Sequence, residues 1–378
     1  MSQPLTPAVN LTPLTSTAQT DAVLVNTTDS TPSSSDNPAP SLHTTQTPPS
    51  PFGNADAGAS VDTSAHTAPA TRTQTADTHS SSSTSPTTAA NELAALTEAA
   101  LSGDSSAQYE LGKRYGFGDG VAQNDKEAAK WITNAANQGN PEAQFTLGLL
   151  HLAGRGVTKD EAQAVNWYRE AAKQNHADAQ FNLGLMYATG SGVDKNHDQA
   201  AHWFKLAAKK GHAEAQFNLG VMYAAGQGVE KNTIKAFEWF TKSAAQGHTE
   251  SQIYLAQMYL EGDGVEQDVA LAIRMFQTLA TQNHTDAYYY LGTVYANGIN
   301  VQQDYVLAAN WFQMAAEQGD SNSQFNLGVM YEFGNGVNQD INRAIRWYHL
   351  AAQQGHVEAM GVLRVLQSDL ISGKMEGA

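Results

Sequence analysis

The sequence contains no cysteine, and that single absence removes disulfide frameworks, thiolate nucleophiles and cysteine-type zinc sites together. It has no apolar run of transmembrane length, and residues 1–16 carry neither a basic residue nor the continuous apolar core of a secretion signal. The expectation is a soluble, cytoplasmic chain, with export by another route left open. Positive charge is also scarce. The formal net charge is −16, whereas phosphate-backbone binding needs clustered Lys and Arg, so no nucleic-acid partner is expected. Residues 1–90 have no Lys, one Arg, and a composition dominated by Ser, Thr, Pro and Ala. Such a stretch cannot bury enough apolar surface to offset chain entropy, so it is expected to be a disordered tail serving as a flexible tether. Finally, H-E-x-x-H, G-x-S-x-G and S-x-x-K are all missing, which leaves no catalytic constellation to defend.

What the chain does have is a period. A Leu-Gly step falls at Leu111, Leu147, Leu183, Leu219, Leu291 and Leu327, and at Leu255 with Ala256 in place of Gly, always on a spacing of 36 residues. A fixed period of this length signals stacked supersecondary units rather than independent domains. Each unit reads as two helices. In helix A of the second unit, Asn140 suits the N-cap, Pro141 the first helical position, and Glu142 the positive end of the dipole. At 100° per residue, Ala179, Leu183 and Met186 share one side and Phe181, Gly184 and Ala188 fall roughly opposite, so helix A is buried twice. A glycine inside a helix costs about 1 kcal/mol relative to Ala, so its recurrence predicts a close neighbour.

A G-x-G-V loop follows, as at Gly190 to Val193, and helix B then begins after Asn124, Asp160, Asn196, Asn232, Asp268, Asp304 or Asp340. No strand precedes the loop, so a phosphate cradle is rejected. On helix B, Ala200, Trp203, Phe204, Ala207 and Ala208 form a broad apolar face. All six tryptophans occupy one position of the repeat: Trp131, Trp167, Trp203, Trp239, Trp311 and Trp347, with Met275 in the fifth unit. A fixed place on an apolar face predicts core packing, so that Trp203→Ala should cost about 3–5 kcal/mol. The fifth unit, lacking both the Gly and the Trp, should be the weakest. Gly139, Gly211, Gly247, Gly319 and Gly355, with Asn175 and Asn283, are expected to end helix B. The parse is a capping helix over 91–103, seven 36-residue repeats over 104–356 and a second capping helix over 357–370.

The pattern A-x-x-x-L-G-x-x-Y-x-x-G-x-G-V, then [ND]-x-x-x-A-x-x-W-[YF]-x-x-A-A-x-x-G, resembles the Sel1-like repeat family, a relative of the tetratricopeptide repeats, over residues 91–370. The resemblance implies an all-α fold, a right-handed α/α superhelical solenoid of tetratricopeptide-like helix pairs, acting as a non-enzymatic adaptor or scaffold for protein complexes. One cysteine-rich branch is linked to β-lactam binding or hydrolysis. This chain departs from it in having neither Cys nor S-x-x-K, so that alternative is disfavoured. A secreted or surface-displayed binder of host protein is a third reading.

Two residue columns are candidates for more than packing. His176, His212, His248, His284 and His356 share one repeat position with Asp104, Asn140 and Asp320. A line of helices about 8–10 Å apart cannot converge three imidazoles on one ion, so the column is read as helix-start chemistry with no metal or cofactor. The second column is the least committed stripe of helix A: Asn182, Asn218 and Asn326, replaced by Tyr254 and Tyr290 in units five and six, with Tyr288 and Glu261 nearby. Asn amides can pair with an extended peptide backbone and Tyr offers area at low entropy cost. From residue 243 to 342, Arg274 faces eleven acids, whereas residues 105–242 balance fifteen basic against fourteen acidic residues. A basic, extended segment of a partner is therefore expected on repeats five to seven of a monomeric chain.

Overall fold

The computed structural model describes residues 86–371, and side chains from residue 90 to 366. The expected disordered tail lies outside the described residues as far as residue 85. Sixteen helices and no strand occur among the described residues. The first, α1 (Pro86–Leu101), starts ahead of the boundary expected at residue 91, and α16 (Val357–Ile371) is the last. Between them lie seven pairs. Repeats one to three are α2 (Ser105–Phe117) with α3 (Asp125–Asn137), α4 (Pro141–Ala153) with α5 (Glu161–Lys173), and α6 (Ala177–Thr189) with α7 (His197–Lys209). Repeats four to seven are α8 (Ala213–Ala225) with α9 (Thr233–Ala244), α10 (Thr249–Glu261) with α11 (Val269–Thr281), α12 (Thr285–Asn297) with α13 (Tyr305–Glu317), and α14 (Ser321–Phe333) with α15 (Ile341–Gln353). These helices fall into two compact units, residues 86–212 and residues 213–371.

Helix boundaries follow from backbone satisfaction. Every helix B begins at its Asn or Asp, whose side-chain oxygen accepts an N–H from the first turn, as Asp160 does from Gln163 and Asn232 from Lys235. At the other end, Asn175 and Asn283 take φ of 68° and 65°, the left-handed conformation that Gly supplies in the other repeats.

The Leu-Gly step sets how closely the two helices of a pair approach. A Cβ on Gly184 would stand 2.7 Å from Cδ1 of Phe204, and one on Gly220 would stand 2.6 Å from Cε1 of Phe240. What presses on the glycine is therefore a ring from helix B. This ring belongs to the residue after the tryptophan: Tyr168, Phe204, Phe240, Phe276, Phe312 and Tyr348 are among the largest fully buried side chains. The tryptophans themselves are half-buried. Trp167 and Trp203 rest against core clusters built from the preceding helix B and their own helix A, and Trp311 does the same in the second unit. The expected core role of the indole thus passes to its neighbour, because adjacent helical residues point 100° apart and only one can face the glycine.

A buried polar spine, unforeseen from the sequence, ties consecutive helices. Gln144 Nε2 donates to the Ala136 carbonyl at 3.1 Å and its Oε1 accepts from Gln174 Nε2 at 2.8 Å. Gln108 and Gln324 repeat both bonds, from Gln138 and Gln354. In these three repeats the pairing offsets the cost of burying the amide, whereas Gln180 makes only the first bond, to the Ala172 carbonyl.

Candidate functional site

The face of helix A that meets the next helix A carries three rows. At the helix start stands an acid, at Asp178, Glu214, Glu250 and Asp286. One turn on comes the Asn/Tyr row. The third element is the cap of the following helix A, where most repeats hold His. His176, His248 and His356 are N-caps whose Nδ1 accepts the N–H three residues on, at 3.2, 3.2 and 3.3 Å. Each such imidazole lies flat on a Phe of the preceding repeat: Phe145 on His176, Phe181 on His212, Phe217 on His248 and Phe325 on His356, with centroids 4.5 to 4.8 Å apart. The free nitrogen then meets the preceding acid. His212 Nε2 is 3.4 Å from Asp178, and His248 Nε2 is 3.0 Å from Glu214. The bond from His212 holds the Asp178 carboxyl below the usual carboxylate range, while burial lowers the pKa of His176. His284 is the exception. The preceding position is Ile253, so there is no ring to lie on, and His284 makes no side-chain cap bond.

One of these junctions has the outline of a hydrolase triad: Ser251 Oγ is 3.1 Å from His248 Nδ1, and His248 Nε2 is 3.0 Å from Glu214. Ser251 is fully buried, so its hydroxyl cannot reach a substrate. The trio works as a cap and a repeat-to-repeat joint.

The expectation of an open Asn/Tyr stripe is corrected by burial. Asn218 and Asn326 are 0% and 1% exposed, Tyr254 and Tyr290 each 8%, and Tyr288 is buried as well; only Asn182 and Glu261 keep partial exposure. For the two tyrosines the cause is the preceding repeat, whose two helices both cover this row. Tyr254 stacks on Phe240 at 5.0 Å and tilts against Phe217, while Tyr290 stacks on Phe276 at 4.9 Å and accepts a hydrogen bond from Gln257. Tyr288 has a different task. Its hydroxyl donates to the Ala280 carbonyl at 3.0 Å, the bond that Gln makes in other repeats. Asn218 Nδ2 donates to the Glu214 carbonyl at 2.9 Å, whereas neither amide atom of Asn326 has a partner in the chain. Burial, with Asp286 adding to it, pushes the Tyr254 phenol up to about 12, and burial also raises Tyr290 well above the ordinary phenol value. Among the described residues no group of three or more His, Asp or Glu is placed to hold a metal ion, and no helix is long and apolar enough to cross a membrane.

Seven helix pairs of one period, with Asn or Asp capping every helix B, define a repeat protein of the tetratricopeptide-like kind. The match to known families agrees. The Sel1 repeat model matches residues 105–140, 141–176, 177–212, 213–248, 249–284, 285–320 and 321–356, and the chain belongs to the Sel1 repeat family. It is 38% identical to c5321, described as a protective antigen present in uropathogenic Escherichia coli strains and displaying an SLR fold, with a TM-score of 0.62. That similarity covers 72% of this chain and 59% of c5321, so the chain spans less than two thirds of that relative's length. A Sel1 repeat protein from Oxalobacter formigenes is 33% identical, with a TM-score of 0.57, over 76% of this chain and 83% of that one. No curated protein matches. Sel1 repeat proteins are typically protein-interaction scaffolds.

Proposed function

We propose that this chain is a non-catalytic scaffold that grips a partner protein along the helix A surface, with a basic, extended segment of the partner lying against repeats five to seven. The observation that supports this most is the charge left over after folding. The first unit answers its acids within the chain, as Asp125 with Arg155 at 2.6 Å and Glu170 with Lys173 at 2.6 Å. Repeats five and six offer Arg274 as their one basic Lys or Arg residue, against nine acids. On this reading Glu261 and Asn182 touch the partner directly and Tyr254 does so through its hydroxyl edge. Asn218, Tyr288, Tyr290 and Asn326 form the floor that holds the row in place. Helices α1 and α16 close the two ends of the array.

Affinity capture from source-cell lysate tests it. Glu261→Lys should abolish capture of partners retained by the wild type, and Glu238→Lys, on helix B, should not. Equal capture by both variants would remove the helix A surface from consideration.

A further inference from the structure

Buried side chains 33 positions apart meet across the junction of repeats five and six, where Gln257 of α10 donates to the Tyr290 hydroxyl of α12. One repeat further on, the same two positions hold Thr293 of α12 and Asn326 of α14, 3% and 1% exposed. A short hydroxyl and a short amide now stand where a long amide reaches a phenol. They do not bond to each other. Thr293 Oγ1 donates to the Tyr289 carbonyl at 3.0 Å, and neither Nδ2 nor Oδ1 of Asn326 has a hydrogen-bond partner in the chain. Asn218, in the same row, at least turns its Nδ2 onto the Glu214 carbonyl at 2.9 Å.

Two more orphan atoms stand on the same turn of α14. Ser323 Oγ and Asn322 Oδ1, on the residues three and four positions before Asn326, are buried without a partner, and side chains at those spacings are neighbours on a helix surface. Ser251, the counterpart of Ser323 in repeat five, has His248 Nδ1 3.1 Å from its hydroxyl. In repeat seven the cap is Asp320, which accepts the Ser323 N–H at 2.6 Å and leaves the hydroxyl unused. Four buried polar atoms within one turn cost more than the bonds around them contribute unless something pairs with them. All four belong to neutral groups, donors and acceptors together, so the match is a neutral ligand that does both. With Asn326 at 1% and Ser323 at 0% exposure, the place suits a solvent molecule, which needs about two to four polar partners.

We infer that ordered water joins α12 to α14, held by Asn326 and Ser323 and donating to Thr293 Oγ1, whose lone pairs remain open. Water takes, between repeats six and seven, the place that the Tyr290 hydroxyl takes between repeats five and six. Asn322, partly exposed at the rim, accepts through its Oδ1 from the outer side of the same site. This hydration belongs to the joint itself and does not depend on partner capture.

In water-selective nuclear Overhauser experiments on the full, isotope-labelled chain, the Asn326 side-chain amide should show a cross-peak to water of the sign that marks a bound rather than a passing molecule. Asn182, partly exposed and bonded to the Asp178 carbonyl at 2.8 Å, supplies the surface reference and should not. Urea unfolding adds a second reading. Asn326→Leu should lower the midpoint, because it strands the Ser323 hydroxyl; were the site dry, the same change would delete two orphan atoms and raise it. Adding Ser323→Ala, the residue type found at that position in repeats one to four and six, should recover part of the loss, so that the two changes are not additive. Absence of the cross-peak, a midpoint raised by Asn326→Leu, or additive changes overturns the hydration site. If Asn326→Leu does not fold, the cross-peak in the wild type decides alone.

Discussion

In repeat four, Gly220 of α8 lies so near Phe240 of α9 that no Cβ fits, whereas in repeat five the equivalent residue is Ala256, fully buried in the pair that also buries Phe276. Repeat four precedes its ring with a half-buried Trp239 beneath Lys242, 4.2 Å from the indole centroid; repeat five has Met275 there, unbranched and able to fill an irregular gap. The same sequence period is therefore met by two different fits between helix A and the helix B ring within one unit. Fit inside a repeat is set by the residues of that repeat, and on the side of repeat four the contact runs through the His248 cap and its stack on Phe217 instead. Stability in such an array is a sum of local and nearest-neighbour terms, which is what allows one repeat to drift without unravelling the rest.

The strongest way to break this comparison is to remove the ring that the glycine serves. Phe240→Ala should cost about 3–5 kcal/mol, read from chemical denaturation, because a fully buried aromatic leaves a cavity that a helix pair cannot close. Trp239→Ala should cost about half as much, since the indole is half-buried. Equal losses would restore the tryptophan to the centre of the core. Next in size are the paired exchanges at the step itself. Gly220→Ala gains about 1 kcal/mol of helix propensity but overpacks the ring by more, for a net loss of about 1–2 kcal/mol. Ala256→Gly should lose about 1 kcal/mol, from propensity alone. If both exchanges stabilised, or both were neutral, the two repeats would not differ in fit at all. Amide exchange resolved by repeat adds a second reading: α10 and α11 should open before α8 and α9 if the pair without the glycine is also the looser one.

Much of the fold was legible because it is written in backbone chemistry. The seven Asn or Asp caps of helix B, the Pro141 start and the left-handed Asn175 and Asn283 are all local choices with one residue's worth of geometry behind them. The Phe-His stack and the Gln spine were visible as recurring letters but not as contacts, since each joins residues 30 or 31 positions apart through the stacking of one repeat on the next. The Asn/Tyr stripe failed for the same reason. A helical wheel says which side of α10 is left over by its own repeat, and nothing in it says that α8 and α9 cover that side.

The cap column sharpens the comparison at smaller amplitude. His248 closes repeat four against Phe217 and caps α10, while His284 closes repeat five over Ile253 and caps nothing. His284→Asn should therefore stabilise the protein by about 0.5–1 kcal/mol, by supplying a cap where none is made. His248→Asn should not, because the new cap replaces an existing one and the ring stack is lost.

The smallest expected effect is a slope rather than a step. A cap that accepts at Nδ1 must be neutral, and burial lowers the pKa of His176 below its ordinary 6.5. A base whose pKa is lower in the folded than in the unfolded chain contributes stability that is fully present above the unfolded value and is lost as pH falls below it. Asp178 and Glu142 face the ring and oppose the shift, and Lys210 reinforces it. Thermal unfolding followed from pH 7 to pH 5 should fall less steeply in His176→Asn than in the wild type. His284→Asn, which removes an imidazole that neither stacks nor caps, should leave the slope where it was; a matching change in both variants would mean that the stacked caps are not what the acid reaches.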